Sequence, residues 1–370
     1  DMLPFLLAVP SLQLPAVDVL RSSVLRGLET SERGVYTAER QREELGRRIR
    51  DRLSGGDGLS RLAAADYAVR PGTSVVITGA TEGIGREAAR FLADANIGVI
   101  VCARDAAKAE TAASYIREAG ANASLVRTVA CDLSSVDSVD AASGMVLAAA
   151  EEMGAPLRGL LLNAGVWPTS KEITADGAEV AWQSNHLGHF QLANQLLPAM
   201  AESAGDAEEL RVVTVSSSAH GIPSALELDD VTWERRKFDA SINYGETKLA
   251  NLLFAQELAE RAPSPRFKSL AVHPGVVATS LFRDFGAAAP PAQVLGLLDD
   301  TPLGLVFRSP RDGCRSSLYA LLSPTVPNGA YVVDCEPTDT SPASKAPRAR
   351  AELWEWSAAW LRARGIDATL

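Results

Sequence analysis

Cysteine and histidine are scarce, with four of each in 370 residues. Cys102, Cys131, Cys314 and Cys335 form no C-x-x-C pair, and no histidine stands at zinc-ligand spacing from them, which argues against a structural zinc site. A chain of this length needs no disulfide scaffold, so the four read as reduced, mostly structural thiols. His186 and His189 have no acidic or cysteine partner converging on them, which argues against a metal centre there. Lysine is also rare: six of the 36 basic residues, in a chain of net charge −10. No basic face is implied, and nucleic acid is excluded as a partner. No long uninterrupted apolar run is present either. The segment 2–20 is apolar but holds Pro4, Pro10, Gln13, Pro15 and Asp18, which makes a poor transmembrane helix. Internal repeats are lacking, and low complexity is limited to short Ala-rich runs. What remains is 46% hydrophobic and 22% charged, an ordinary globular mixture that can bury a sizeable core.

Residues 1–70 read as an N-terminal extension. The chain opens on Asp rather than Met, as a fragment or a processed form would. The segment 2–20 fits either a targeting remnant or membrane-surface anchor, or an apolar flap packed on the main domain. The stretch 31–52 is dense in Arg and Glu and reads as a solvated helix. The run SGGDG at 54–58 reads as a linker. From residue 72 the texture changes. Short strands fit 74–78 (SVVIT), 98–102, 124–130, 158–162, 211–215 and 267–272, and helices fit 84–95, 106–118, 135–152, 176–200 and 243–261. A helix at 311–322, a short strand at 331–333 and a helix with two Trp at 351–363 follow as an appendage. The alternation predicts an α/β fold: a Rossmann-type, doubly wound parallel sheet, one main domain over 71–370 with an N-terminal helical extension.

Between the first strand and helix lies Thr78-Gly79-Ala80-Thr81-Glu82-Gly83-Ile84-Gly85. A helix N-terminus offers unpaired N–H groups and a positive dipole end to a pyrophosphate, and side chains would block the close approach of the backbone. Gly79, Thr81, Glu82, Gly83, Ile84 and Gly85 are thus candidate dinucleotide contacts. At the tip of the second strand, a carboxylate would grip a ribose 2′-hydroxyl and an arginine would take a 2′-phosphate. Arg104 favours NADP(H) over NAD(H) on charge complementarity. Asp105 follows at once and fits either the ribose or the N-cap of the next helix.

Tyr244-Gly245-Glu246-Thr247-Lys248 opens the helix after the fifth strand. Four residues is about one turn, so Tyr244 and Lys248 share a face. A free phenol has a pKa near 10, and a neighbouring ammonium would lower it toward a value fit for proton transfer. The triplet Ser216-Ser217-Ser218 lies directly after strand 211–215, where ligands sit in open α/β sheets. Asn185, inside a long helix, is unfavourable there unless it has a task.

The spacing G-x-x-x-G-x-G after Thr78, with the serine, tyrosine and lysine in this order, resembles the short-chain dehydrogenase/reductase family over about 72–363. The resemblance implies a catalytic hydroxyl on Ser217, with Ser216 and Ser218 as the register alternatives, and catalytic roles for Tyr244, Lys248 and Asn185. In relatives the Asn backbone is thought to hold a water that links the lysine to solvent. The resemblance also implies that Tyr244 and Lys248 touch the coenzyme. Asp132 and Leu133 would flank the adenine, and Asn163, Ala164 and Gly165 would close the fourth strand against it. Pro274 and Gly275 would border the nicotinamide, with Val277 near its carboxamide and Thr279 near its polar groups. The stretches NHLGHF at 185–190, YGETKLANLL at 244–253 and GAYVVDCE at 329–336 are similar to the retinol-dehydrogenase-like branch. That similarity implies an NAD(P)-dependent enzyme acting on CH–OH groups. Its partner would be a small lipophilic carbonyl or alcohol, admitted under an apolar lid at about 276–305 that carries Phe282 and Phe285. Two other readings fit less well: a catalytically weak, NADP-binding, redox-sensing partner of a membrane complex, and a nucleotide-sugar epimerase or dehydratase. A cytoplasmic place and one on an organelle membrane, held by the N-terminus, both suit the sequence, which leaves the oligomeric state open.

Overall fold

The computed structural model describes residues 46–47, 58–60, 62–118, 122–204, 208–261, 266–277 and 308–368. The readings of segment 2–20, of most of the 31–52 helix, of most of the 54–58 linker, of Thr279 and of nearly all of the 276–305 lid lie outside these residues. Among the described residues, no helix is long and apolar enough to cross a membrane.

Eight strands form one sheet among the described residues: β1 Ser74–Thr78, β2 Gly98–Ala103, β3 Val126–Ala130, β4 Leu157–Leu162, β5 Leu210–Val215, β6 Phe267–His273, β7 Tyr331–Val333 and β8 Glu336–Thr338. Their order is β3-β2-β1-β4-β5-β6-β7-β8. All neighbours pair in parallel except β7 and β8. The chain winds outward from β1 to β3 and then returns to β4, so a crevice opens at the C-terminal ends of β1 and β4, where a doubly wound sheet takes its ligand.

The strands are β-branched and apolar because both faces are covered. Val75 and Ile77 face one core layer with Leu92 and Ile97, whereas Val76 faces another with Val139, Phe190 and Phe254. The longer helices among the described residues, with the short α6, are α1 Gly83–Asp94, α2 Ala106–Glu118, α3 Val136–Glu152, α4 Gly188–Ser203, α5 Ala240–Arg261, α6 Pro310–Gly313, α7 Arg315–Leu322 and α8 Ala349–Arg362. The last of these lies over α4 and α5. The Trp354 ring stands 4.9 Å from Phe190 and 5.9 Å from Phe254, and Ser357 Oγ lies 2.8 Å from His186 Nε2.

Beyond shifts of three residues or fewer at element ends, three elements differ from the sequence reading. The long helix starts at 180, not 176: Gly177 turns the chain at φ +81°, and the Glu179 carboxylate caps the new helix by accepting from the Ala181 and Trp182 amides at 2.9 and 3.1 Å. One helical turn, Val180–Trp182, then passes through a π turn, Gln183–Leu187, before α4. The expected helix 311–322 is two pieces, α6 and α7. Strand β8 has no counterpart in the sequence reading. It is joined to β7 by Asp334 and Cys335, both at positive φ (52° and 58°), the conformation of a two-residue hairpin turn that sequences usually mark with Gly.

Candidate active site

The floor of the crevice explains its glycines. Gly79 sits at φ +65°, and a Cβ there would fall 2.8 Å from Ala164 Cα. A Cβ on Gly85 would fall 2.6 Å from both Gly79 O and Asn163 Nδ2. The ends of β1 and β4 are therefore in backbone contact. Helix α1 begins at Gly83 (φ +60°), and its N-cap, Glu82, supplies no side-chain capping bond. Its first N–H groups and positive dipole end face the crevice mouth, beside the half-buried Thr81 and Ile84 and the exposed Glu82. This cradle of close backbone and helix terminus fits the pyrophosphate of a nicotinamide dinucleotide.

The walls come from the other strand ends. Thr78 Oγ1 accepts from the Asn163 and Ala164 amides at 2.9 and 3.0 Å, and Asn163 Nδ2 donates to Thr78 O and Gly79 O at 2.9 and 3.2 Å. After β2, Asp105 Oδ1 accepts from the Lys108 amide at 3.0 Å, so this carboxylate is the N-cap of α2. Arg104 is exposed at the strand tip. After β3, Asp132 Oδ1 accepts from Ser134 N and Oγ at 2.9 and 2.6 Å, and Leu133 is buried against α4, where a Cβ on Gly188 would meet Leu133 O at 2.5 Å. After β6, Arg308 Nη1 donates to Pro274 O at 3.1 Å and its side chain lies where a Cβ on Gly275 (φ +83°) would stand; Arg308 also pairs with Asp334. Val277 is buried and bridges to Arg308.

The catalytic candidates meet at the ends of β4 and β5. Tyr244 and Lys248 are both buried on one face of α5. Lys248 Nζ lies 5.5 Å from the Tyr244 ring centre and donates to Val215 O at 3.0 Å. Of the three serines, Ser216 is turned away, its hydroxyl donating to Lys248 O at 2.7 Å. Ser218 starts a 3₁₀ turn, with its amide 3.3 Å from His273 Nδ1. Ser217 Oγ accepts from the Ala219 amide at 3.2 Å and stands near enough to the Tyr244 phenol to favour its ionised form. The Asn185 side chain accepts from Val166 N at 2.7 Å and donates to Val166 O and Thr247 Oγ1, each at 3.0 Å. It thus pins the loop after Gly165 to the turn of α5 just before Lys248. A Cβ on Gly165 would come within 3.3 Å of Lys248 Nζ. The described site residues of the sequence reading thus lie at or just beyond the C-terminal ends of the parallel strands, in the π turn and on α1 and α5, with Arg104 exposed at the tip of β2.

The acidities differ from the sequence expectation. Burial pushes the Tyr244 phenol well above its ordinary value, with Ser217 pulling the other way. Burial brings the Lys248 ammonium down to about 8. In the free chain, desolvation therefore outweighs the expected effect of the ammonium on the phenol. Three residues were not singled out as functional from the sequence. Thr78 is the clamp between β1 and β4. Trp167 stacks on Tyr244 at 4.4 Å and 8°, its indole N–H donating to Ala240 O at 2.9 Å. His189 is fully buried, and its spacing from Asn185, one helical turn, was the available signal.

Two histidines give the fold a pH dependence. Burial holds His186 down at about 3 and His189 at about 4, from an ordinary 6.5. Between pH 6.5 and 4 the unfolded chain binds protons that the native chain does not, so stability falls as pH falls through this window. The loss is on the order of 2 kcal/mol per histidine at pH 5, relative to pH 7.5. Guanidinium midpoints at the two pH values read it, and a His186→Asn variant should show a smaller difference. An unchanged difference would overturn the assignment.

The comparisons with known proteins point the same way. Residues 73–228 match the family model described as short chain dehydrogenase. Retinol dehydrogenase 12 of Homo sapiens is 38% identical over 290 residues, which are 78% of this chain and 85% of that protein. Polyprenol dehydrogenase of Homo sapiens is 31% identical over 293 residues, 78% of this chain and 84% of that protein. The crystal structure of an uncharacterized protein from Mycobacterium paratuberculosis matches with a TM-score of 0.63 at 32% identity, covering 84% of this chain and 99% of that one. Identity at this level over most of both chains goes beyond a shared fold, and with the turn, sheet order and crevice described above the chain belongs to the short-chain dehydrogenase/reductase family, as a retinol-dehydrogenase-like oxidoreductase acting on CH–OH groups.

Proposed function

We propose that the chain reduces a lipophilic, retinoid-like aldehyde or ketone, and catalyses the reverse oxidation, with NADP(H) preferred over NAD(H). The observation that carries the reading is the grouping of Ser217, Tyr244 and Lys248 beside the glycine turn. The nicotinamide, when bound, supplies or accepts the hydride. Gly79 and 81–85 would hold its phosphates, Asp132 and Leu133 its adenine, and Asn163 to Gly165 with Pro274, Gly275 and Val277 the rest; Thr279 is assigned to it by resemblance alone. Ser217 and Tyr244 hold the substrate oxygen by hydrogen bonds, and Tyr244 delivers the proton in reduction. Lys248, protonated below about pH 8, holds the ribose and stabilises the phenolate left behind. Asn185 keeps the loop after Gly165 in register with α5.

NADP(H) preference is supported by the division of labour at the end of β2. Asp105 is engaged in capping α2, which leaves Arg104 as the charge at the tip. The names of the relatives, retinol dehydrogenase and polyprenol dehydrogenase, support a lipophilic substrate. Val166 (38% exposed) and Trp167 supply apolar surface beside Tyr244. The test is NADPH oxidation against NADH oxidation with all-trans-retinal, a polyprenal and medium-chain aldehydes. Arg104→Ala should raise KM for NADPH about 10- to 100-fold, the worth of a charged hydrogen bond, and leave that for NADH nearly unchanged. Equal effects on both would overturn the NADP(H) preference. No turnover of any carbonyl, with NADPH still bound, would favour the redox-sensing reading.

A further inference from the structure

His189 stands between the two halves of the site. Its Nδ1 lies 2.9 Å from the backbone oxygen of Asn185, and its Nε2 lies 2.8 Å from Thr78 Oγ1. Hydrogen-bond accounting fixes its tautomer. A carbonyl oxygen only accepts, so Nδ1 carries the hydrogen; a neutral imidazole has one, so Nε2 accepts from the Thr78 hydroxyl. The count from the other end agrees. Thr78 Oγ1 already accepts from the Asn163 and Ala164 amides, which leaves its own hydrogen to be given away. Burial keeps the ring neutral at ordinary pH.

The result is one continuous chain of donors. It runs from the strand end that starts the glycine turn, through His189, to Asn185 in the π turn, and from the Asn185 side chain to Thr247, next to Lys248. We propose that His189 is a positioning residue of this active site: as a neutral Nδ1–H imidazole it ties the coenzyme turn at Thr78 to Asn185, and through Asn185 to the helix of Tyr244 and Lys248. The inference rests on the functional reading above for its effect on turnover, but not for its tautomer or for coenzyme binding.

The two arms can be cut separately. An Asn side chain can present a donor in place of Nδ1–H, and a Gln side chain can present an acceptor in place of Nε2. His189→Leu cuts both arms and is expected to lower kcat and weaken NADPH binding, each about tenfold, as the loss of a hydrogen bond at each end would. His189→Asn should recover mainly kcat, and His189→Gln mainly NADPH affinity. Thr78→Val should weaken NADPH binding about as much as His189→Leu. Affinity is read by tryptophan fluorescence on titration with NADPH, and folding by circular dichroism. Nitrogen-15 NMR of the four histidines should show two Nδ1-protonated rings, at 189 and at 220, where the same accounting applies; the one lost in His189→Asn should not titrate down to pH 5. An Nε2-protonated ring at 189 would overturn the proposal. So would Leu, Asn and Gln variants that match the wild type, or that lose activity only in proportion to the unfolded fraction. If wild-type protein turns over none of the carbonyls, the functional reading fails, while the NMR and NADPH titrations still decide the role of His189.

Discussion

Tyr244→Phe is expected to lose about 10³-fold in kcat with all-trans-retinal, while its Kd for NADPH stays within a few-fold of wild type. The ring, its stacking on Trp167 and its place on α5 survive the change; only the hydroxyl is lost. That hydroxyl is the acid in the proposed reduction. With burial holding the phenol well above its ordinary value, it is protonated at neutral pH and ready to donate. The reverse oxidation needs the phenolate, so its rate should rise with pH where that of reduction does not. Reduction should decline above about pH 8, as Lys248 loses the charge that stabilises the phenolate left after proton transfer. A Phe variant within tenfold of wild type would overturn the assignment of Tyr244 as the acid.

Trp354→Ala is expected to destabilise the fold by about 3–5 kcal/mol, the cost of emptying a large aromatic site in a packed core. Trp354 is 3% exposed, wedged between Phe190 of α4 and Phe254 of α5, with the Arg261 guanidinium 4.6 Å from its ring centre. Because α5 carries Tyr244 and Lys248, the loss should also show in turnover below the denaturation midpoint. Guanidinium unfolding followed by circular dichroism checks the first effect. A change under about 1 kcal/mol would mean that α8 is not part of the cooperative core.

The parts of the site legible in the sequence were those written by local backbone demands. Gly79, Gly83 and Gly85 announce the coenzyme turn because positive φ and backbone contact tolerate no side chain there. Tyr244 and Lys248 announce a shared face through helical spacing alone. The strands were legible because burial on both faces demands apolar, β-branched runs. Elsewhere local pattern was ambiguous. Nothing along the chain distinguishes Asp105 as ribose ligand from Asp105 as helix cap; the bond from Lys108 N does. Nothing local separates Ser216 from Ser217, which differ only in which face of the strand end they leave. The helix start at 176 was misplaced because Glu179 capping its own helix is a weaker signal than the apolar period around it. Strand β8 was missed because Asp334-Cys335 is an uncommon pair for a hairpin that needs two positive φ angles.

By itself, then, the sequence determined the doubly wound sheet, the glycine turn at the end of β1 and the shared helical face of Tyr244 and Lys248, since each follows from short-range periodicity or from backbone geometry that few residues can adopt. Only the tertiary structure decided how those residues are held. The buried surroundings of Tyr244 and Lys248 set the balance of their acidities. The cover of α8 over α4 and α5 ties the helix of Tyr244 and Lys248 to the core. The tautomer of His189 is fixed by partners at 78 and 185, one of them more than a hundred residues distant along the chain. These are properties of contacts between distant segments, and desolvation and donor counting act only once those segments have met.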